Sequence, residues 1–154
     1  MLKSYGLIGR NDNKVDAKGR INIPAQMRRV LAPNPHDEVV IILGAEGQLS
    51  LFNREYWVGT IQQNILNRAD TAAGSEEWTA VQRAIHRLSE NSHLSTVDSQ
   101  GRITIPGWLL EKAGIGKDAL VIGAVDRVSV WEPDRYAAWA HSGGDGITGT
   151  GVFV

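Results

Sequence analysis

The chain has 154 residues, 42% hydrophobic and 21% charged, the composition of an ordinary globular protein and the size of one domain or of two very small ones packed together. It has no cysteine, which excludes disulfides, thiolate zinc sites and thiol catalysis, and no apolar run approaches the roughly 20 residues of a membrane span. Net charge is only −1, but residues 1–32 hold seven basic side chains and two acids, so a +5 segment precedes a remainder at −6 and points to one cationic face.

In chain order, Met1 to Tyr5 has no apolar stretch long enough for a secretory signal, and the expected compartment is the cytoplasm. Residues 3–8 alternate loosely as a short strand, and Asn11-Asp12-Asn13 reads as a turn. A strand begins over Lys14 to Asp16, Gly19 permits a tight reversal, and Arg20 to Ile23 returns with Ile21 and Ile23 on the buried face and Arg20 and Asn22 on the other. Pro24 suits the first turn of a helix running to about Leu31, with Met27, Val30 and Leu31 inward and Arg28 and Arg29 toward water. Glu38 to Leu43 and Gln48 to Phe52 read as a buried hairpin about the Gly44-Ala45-Glu46-Gly47 turn.

Residues 54–66 have helical spacing at Trp57, Ile61 and Ile65, and Asp70 to Ser75 is a small-residue break. Ser75 is then a helix cap followed by Glu76 and Glu77, ahead of an apolar stripe at Trp78, Val81, Ile85 and Leu88. Strands follow near 94–98, 102–105, 119–124 and 127–132. A helix runs from Pro106 to Ala113 with Gly114 as its stop, and another from about Pro133 to Ala140. Ser142 to Gly151 holds five glycines and is expected to be a mobile tail. The central stripe reads most simply as core. The sharper alternative is contact with neighbouring subunits, with Trp108 as a further candidate.

The chain states its plan twice. Val-Asp-Ala-Lys-Gly-Arg-Ile-Asn-Ile-Pro (15–24) and Val-Asp-Ser-Gln-Gly-Arg-Ile-Thr-Ile-Pro (97–106) share seven of ten residues at a separation of 82, and Leu49-Ser50-Leu51-Phe52 is answered by Val128-Ser129-Val130-Trp131. Each unit is too small for a generous core, so the two are expected to share one, interleaving their strands into a small barrel without exposed edges. Within each motif Asp16 and Arg20, or Asp98 and Arg102, flank a glycine turn (Gly19, Gly101) and can pair across it. Such a pair is worth only about 0–1 kcal/mol at a surface, but it aims a guanidinium whose fork suits a phosphate or a guanine edge. The alternative is that the Asp–Arg pairs are purely architectural.

These two segments, with a hairpin ending in Val-Trp-Glu, resemble the MraZ family, the tandem-repeat branch of the AbrB-like proteins (SpoVT-AbrB domain), from Tyr5 to Trp139. The resemblance implies an α+β, mainly β fold in which two AbrB-like repeats interleave into a small double-split, swapped-hairpin β-barrel with flanking helices. It also implies a bacterial transcriptional regulator that binds direct repeats upstream of the division and cell-wall gene cluster, assembles into a ring and associates with the nucleoid. Expected boundaries are 1–66 for the first repeat with its helix, 67–92 for a connecting helix, 93–141 for the second repeat with its closing helix and 142–154 for the tail. The family's Asp and Arg fall on Asp16 and Arg20, with Lys18 between them, and on Asp98 and Arg102.

The expected DNA-binding set is Arg20, Lys18, Lys14, Arg10, Arg28, Arg29 and Arg102, oriented by Asp16, Gly19, Asp98 and Gly101. Where the first copy has Lys18, Arg28 and Arg29, the second has Gln100, Leu110 and Glu111, so the cationic surface is expected mainly from the first. The partners expected are double-stranded promoter DNA and further copies of the chain, with no membrane, small-molecule substrate, cofactor or metal.

An enzyme is the weaker reading. His36, His86, His93 and His141 lack metal-ligand spacing, and Ser92, His93 and Asp98 have no nucleophile elbow around them. An antitoxin-type dimer on the same barrel is a closer rival, against which the two fused repeats and two interposed helices speak. A ring scaffold that binds protein alone is the third, and the basic N-terminal segment weighs against it.

Overall fold

The structure is a computed structural model and describes residues 6–142. The expected strand over residues 3–8 lies partly outside that span, and the glycine-rich tail lies outside it from residue 143. The order is β1 (Arg10–Lys14), β2 (Arg20–Asn22), α1 (Ala25–Leu31), β3 (Glu38–Leu43) and β4 (Leu49–Asn53). A continuous helical rod follows, made of α2 (Arg54–Tyr56), a π-helical turn (Trp57–Ile61) and α3 (Gln62–Ala72). Then come α4 (Trp78–Glu90), β5 (Ser92–Thr96), β6 (Arg102–Thr104), α5 (Gly107–Ala113), β7 (Asp118–Gly123), β8 (Val128–Trp131) and α6 (Pro133–Ala140).

Six strands form one antiparallel sheet in the order β1-β7-β8-β4-β3-β5, and β2 pairs with β6 in a separate ribbon. The repeats are interleaved throughout. β1 of the first copy runs on β7 of the second, and β5 of the second runs on β3 of the first. The copies also meet at β4–β8 and β2–β6, so each repeat's first strand lies on the other's trailing hairpin, while the second strands of the two repeats pair with one another. The registers are symmetric. Ile21 faces Ile103 at the centre of one ladder and Ser50 faces Ser129 at the centre of the other. A pseudo-two-fold axis relating the repeats passes through both pairs.

The fold is α+β as expected, but its ladder does not close into a continuous barrel. The edge strands β1 and β5 meet the ribbon through single hydrogen bonds instead. Asn13 Nδ2 donates to the Asn22 carbonyl (2.8 Å) on one side, and Ser95 Oγ donates to the Thr104 carbonyl (3.0 Å) on the other. Strands of three residues, each entered from a tight turn, are too short to carry a ladder on both sides.

One core is shared by both copies. Ile21, Ile23, Ile103, Ile105, Leu49 and Leu51 are fully buried in it, among residues from both units. A second cluster of Val40, Ile42, Phe52 and Tyr56 lies on the outer face of β3–β4, packed against Trp57, Ile61 and Leu88 of the long helices. β4 is consequently buried on both faces, including Ser50 and Asn53.

Three local expectations change. Asn11-Asp12-Asn13 is the middle of β1 rather than a turn. Its exposed residues pair with β7, and tertiary pairing overrides the local turn preference. The first long helix runs on through Asp70 to Ala72, burying Ala69 and Ala72, so the break shifts to residues 73–77. Glu76 and Glu77 therefore lie in that turn, where Ser75 Oγ accepts from the Glu77 amide (3.2 Å), and α4 starts at Trp78. The stripe on α4 is only partly covered within one chain, with Leu88 packed against the second cluster. Val81, Ile85 and Leu88 are half-buried, Trp78 is exposed, and no residue of α4 is fully buried.

Candidate nucleic-acid interface

The two motif turns are built alike, bond for bond. In the first, the Gly19 amide donates to the Asp16 carbonyl (3.0 Å) and the Asp16 amide to the Arg20 carbonyl (3.1 Å); in the second, Gly101 donates to Asp98 (3.0 Å) and Asp98 to Arg102 (2.9 Å). Gly19 and Gly101 have φ of +79° and +77°, the left-handed conformation that closes such a turn and favours glycine.

Each aspartate then ties the turn from within. Asp16 Oδ1 accepts from the amides of Lys18 and Arg20 (both 2.9 Å), while Oδ2 accepts from Arg20 Nε (2.7 Å). Asp98 treats Gln100, Arg102 and Arg102 Nε in the same way, at 2.9 Å each. The backbone amide of the motif arginine, with its side chain and one further turn amide, holds each carboxyl below the usual carboxylate range, against a smaller opposing effect of burial.

The pairing engages only Nε. The terminal nitrogens of Arg20 and Arg102 make no hydrogen bond among the described residues, so each guanidinium is aimed by its aspartate and keeps two donor groups to offer outward. Both arginines lie on one face of the β2–β6 ribbon, because Ile21 and Ile103 between them point into the core. Arg20 is opposite Thr104 and Arg102 is opposite Asn22, so the four outward side chains form one small platform across the pseudo-two-fold axis. Asn22 and Thr104 are exposed members of this platform that were not in the expected set, although period-two alternation in each motif places them beside the arginines.

The other expected cations divide. Lys18 is exposed at the tip of the first turn, and Arg29 is exposed on α1; neither has a carboxylate partner among the described residues. Lys14 is paired with Asp118 on the neighbouring strand. Arg10 stands at the far end of β1, near Asp12 (3.9 Å) and over the ring of Tyr136 on α6 (5.9 Å), apart from the arginine platform. Arg28 reaches across to the second copy. Its guanidinium covers the second turn, where a β-carbon on Gly101 would sit 2.1 Å from Nη1, and Nη1 donates to the Ile23 carbonyl (3.1 Å). Over Gly19 the closest atom to such a carbon is the Ile105 carbonyl oxygen (2.6 Å), and a methyl of Leu110, the residue equivalent to Arg28, lies at ordinary contact distance (3.6 Å).

Among the described residues, no group of three or more His, Cys, Asp or Glu side chains is arranged to hold a metal ion, and no helix is long and apolar enough to cross a membrane.

The family model described as "MraZ protein, putative antitoxin-like" matches residues 7–82 and 88–142. Similar proteins include the transcriptional regulator MraZ of Lachnoclostridium phytofermentans, 29% identical over 140 residues and covering 91% of each chain. Those of Chlorobaculum tepidum and Christiangramia forsetii are each 33% identical, covering 84% of this chain and 86% and 80% of theirs.

Proposed function

We propose, from the premise that this chain belongs to the MraZ family, that it is a DNA-binding transcriptional regulator. It reads repeated promoter boxes of the bacterial division and cell-wall gene cluster as a ring-shaped homo-oligomer at the nucleoid. The regulatory role is the one its relatives' names carry. The observation that carries the DNA reading is the platform of Arg20 and Arg102. Two guanidinium forks, each held at Nε and free of hydrogen bonds at its terminal nitrogens among the described residues, stand at diagonal corners of one outward face of the ribbon. Such forks suit guanine O6 and N7 or paired phosphate oxygens. Lys18, Arg28 and Arg29 add charge around them for the backbone.

Self-association has separate support. Leu66, 47% exposed, lines an open groove between the first helical rod and α4 together with Ile61, Ile65, Val81 and Ile85, and Trp78, at the start of α4, is 42% exposed. The other repeat offers a second, different apolar surface, where Trp139 stacks on Trp131 (4.7 Å between ring centres) yet stays 49% exposed. Two unlike sticky faces on one chain favour head-to-tail contact, which generates a ring when the rotation closes. A ring matters to affinity, because a mildly acidic chain with one small cationic platform binds a single box weakly. Linked platforms on repeated boxes raise affinity by about 10²–10⁴.

The test is a titration of the full chain at two salt concentrations, against a DNA fragment from upstream of its own gene and a scrambled control. The oligomer's mass is measured in the same buffer. Specific, salt-sensitive binding by a large oligomer is the expected result. A large oligomer indifferent to both DNAs overturns the DNA reading in favour of a protein scaffold, and a dimer overturns the ring.

A further inference from the structure

We infer that Arg28 completes the second motif's DNA-reading turn from across the pseudo-two-fold axis, so that one chain carries two charged reading turns where its sequence writes only one. The inference rests on the DNA-binding reading above and adds to it which turn Arg28 serves.

The two turns differ at two places, and the differences compensate. The first has a cation at its tip, Lys18, and an apolar residue packed on its glycine, Leu110 from α5. The second has a neutral tip, Gln100, and a cation packed on its glycine, Arg28 from α1. Residues 28 and 110 occupy equivalent places, 82 apart like the motifs themselves, and each reaches over to the turn of the other copy. Because the repeats exchange their strands, a charge written into the first repeat is delivered to the second.

Arg28 is fit for more than packing. Nη1 spends a hydrogen bond on the Ile23 carbonyl (3.1 Å), which anchors the head group, and no carboxylate neutralises it among the described residues. It is half-buried, with its remaining N–H donors uncommitted, against a turn whose amides are already spent on Asp98. At Gly19 the equivalent residue is a leucine in ordinary contact (3.6 Å), with the Ile105 carbonyl closest to the glycine, so the first turn is made without a guanidinium over it and packing alone does not call for one at Gly101. A phosphate passing the second turn would meet Arg28 where one passing the first turn meets Lys18.

The experiment compares the full-length protein with Arg28→Leu and with the double variant Arg28→Leu, Gln100→Lys, which rewrites the second turn in the pattern of the first. The readout is the slope of log K against log salt on the upstream DNA fragment, with thermal unfolding as the check on folding. Arg28→Leu is expected to lose about 0.9 from the slope for each engaged subunit, a roughly 3.5-fold change in affinity ratio over a fourfold range of salt. Gln100→Lys is expected to restore it. Arg28→Gln, which keeps a donor for Ile23 and drops the charge, gives the same reading if the leucine variant unfolds. A slope unchanged in Arg28→Leu or Arg28→Gln, or one that Gln100→Lys does not restore, overturns the inference while leaving the function standing. A wild-type protein that ignores DNA overturns both.

Discussion

Ile21 and Ile103 face one another at the centre of the β2–β6 ribbon, each fully buried, at the point where the two halves of the chain are related by pseudo-symmetry. The same two residues that hold the ribbon to the core separate Arg20 from Asn22 and Arg102 from Thr104, so core packing fixes the spacing of the surface platform. Ile21→Ala and Ile103→Ala are each expected to destabilise the fold by about 2–5 kcal/mol. Both should give a single cooperative unfolding transition, because the core is common to the two repeats. Denaturant titration followed by tryptophan fluorescence checks both the size and the single step; two separated transitions would show that the repeats unfold independently.

Arg20→Ala and Arg102→Ala are expected to lower DNA affinity by at least about tenfold each. The loss of a partly exposed surface ion pair should cost about 0–1 kcal/mol of stability. Arg20 and Arg102 are comparably exposed, at 30% and 24%, and are held by identical bonds. With Arg28 on the second turn, the two losses should be similar, although the sequence alone suggests that Arg102 matters less. Affinity and melting temperature measured on the same preparations decide it. A variant that unfolds would make its ion pair architectural.

Asp16 and Asp98 are held below the ordinary aspartate value of about 3.9 in the folded protein, first by the amide of the motif arginine. A depressed folded value means their stabilisation is complete above the unfolded value. It is lost only as pH falls through that value and then through the folded one. Stability should therefore be insensitive to these groups from about pH 5 upward and weaken in more acidic buffer. In the Asp16→Asn, Asp98→Asn protein the contribution of these two carboxyls to that acid-side decline is removed. Melting temperature against pH for both proteins provides the measurement.

Leu66→Glu combined with Trp78→Ala is expected to lower the mass of the oligomer without changing the far-ultraviolet circular dichroism. Both side chains are substantially exposed in one chain and contribute little to its own fold. Light scattering on the variant distinguishes a stripe used between subunits from one that merely faces solvent: an unchanged mass would rule out the helical groove as an assembly surface.

Much of this fold was legible because the local signal and the tertiary environment agree. Glu38–Leu43 is an apolar run buried within the sheet, and Pro133–Ala140 begins at a proline with Glu132 capping the amides of Asp134 and Arg135. Gly114, at φ +70°, ends α5 where the sequence stops it. Asn11–Asn13 misled because the residues favour turns and only the partner strand β7 makes them a strand. The half-buried stripe on α4 misled in the other direction, since hydrophobic spacing records that a face is apolar and not what covers it. Within the site, the Asp–Arg pairs were legible from the motif, whereas the placement of Arg28 over Gly101 depends on which hairpin lies on which. No local pattern encodes that exchange, although the 82-residue offset linking Arg28 to Leu110 was present in the repeat from the start.

The exchange of strands between repeats gives this molecule the architecture of a symmetric dimer whose halves are written separately in one chain. In a true homodimer every substitution is made twice, so the two sides of the axis can never become different. Here the tether removes that obligation. Lys18 and Gln100, or Arg28 and Leu110, can diverge one at a time while Ile21 still meets Ile103 and the fold is kept. A covalently joined pair can thus acquire handedness along a bound strand, with one turn suited to one stretch and its twin to the next, where two separate identical chains would be confined to a palindrome.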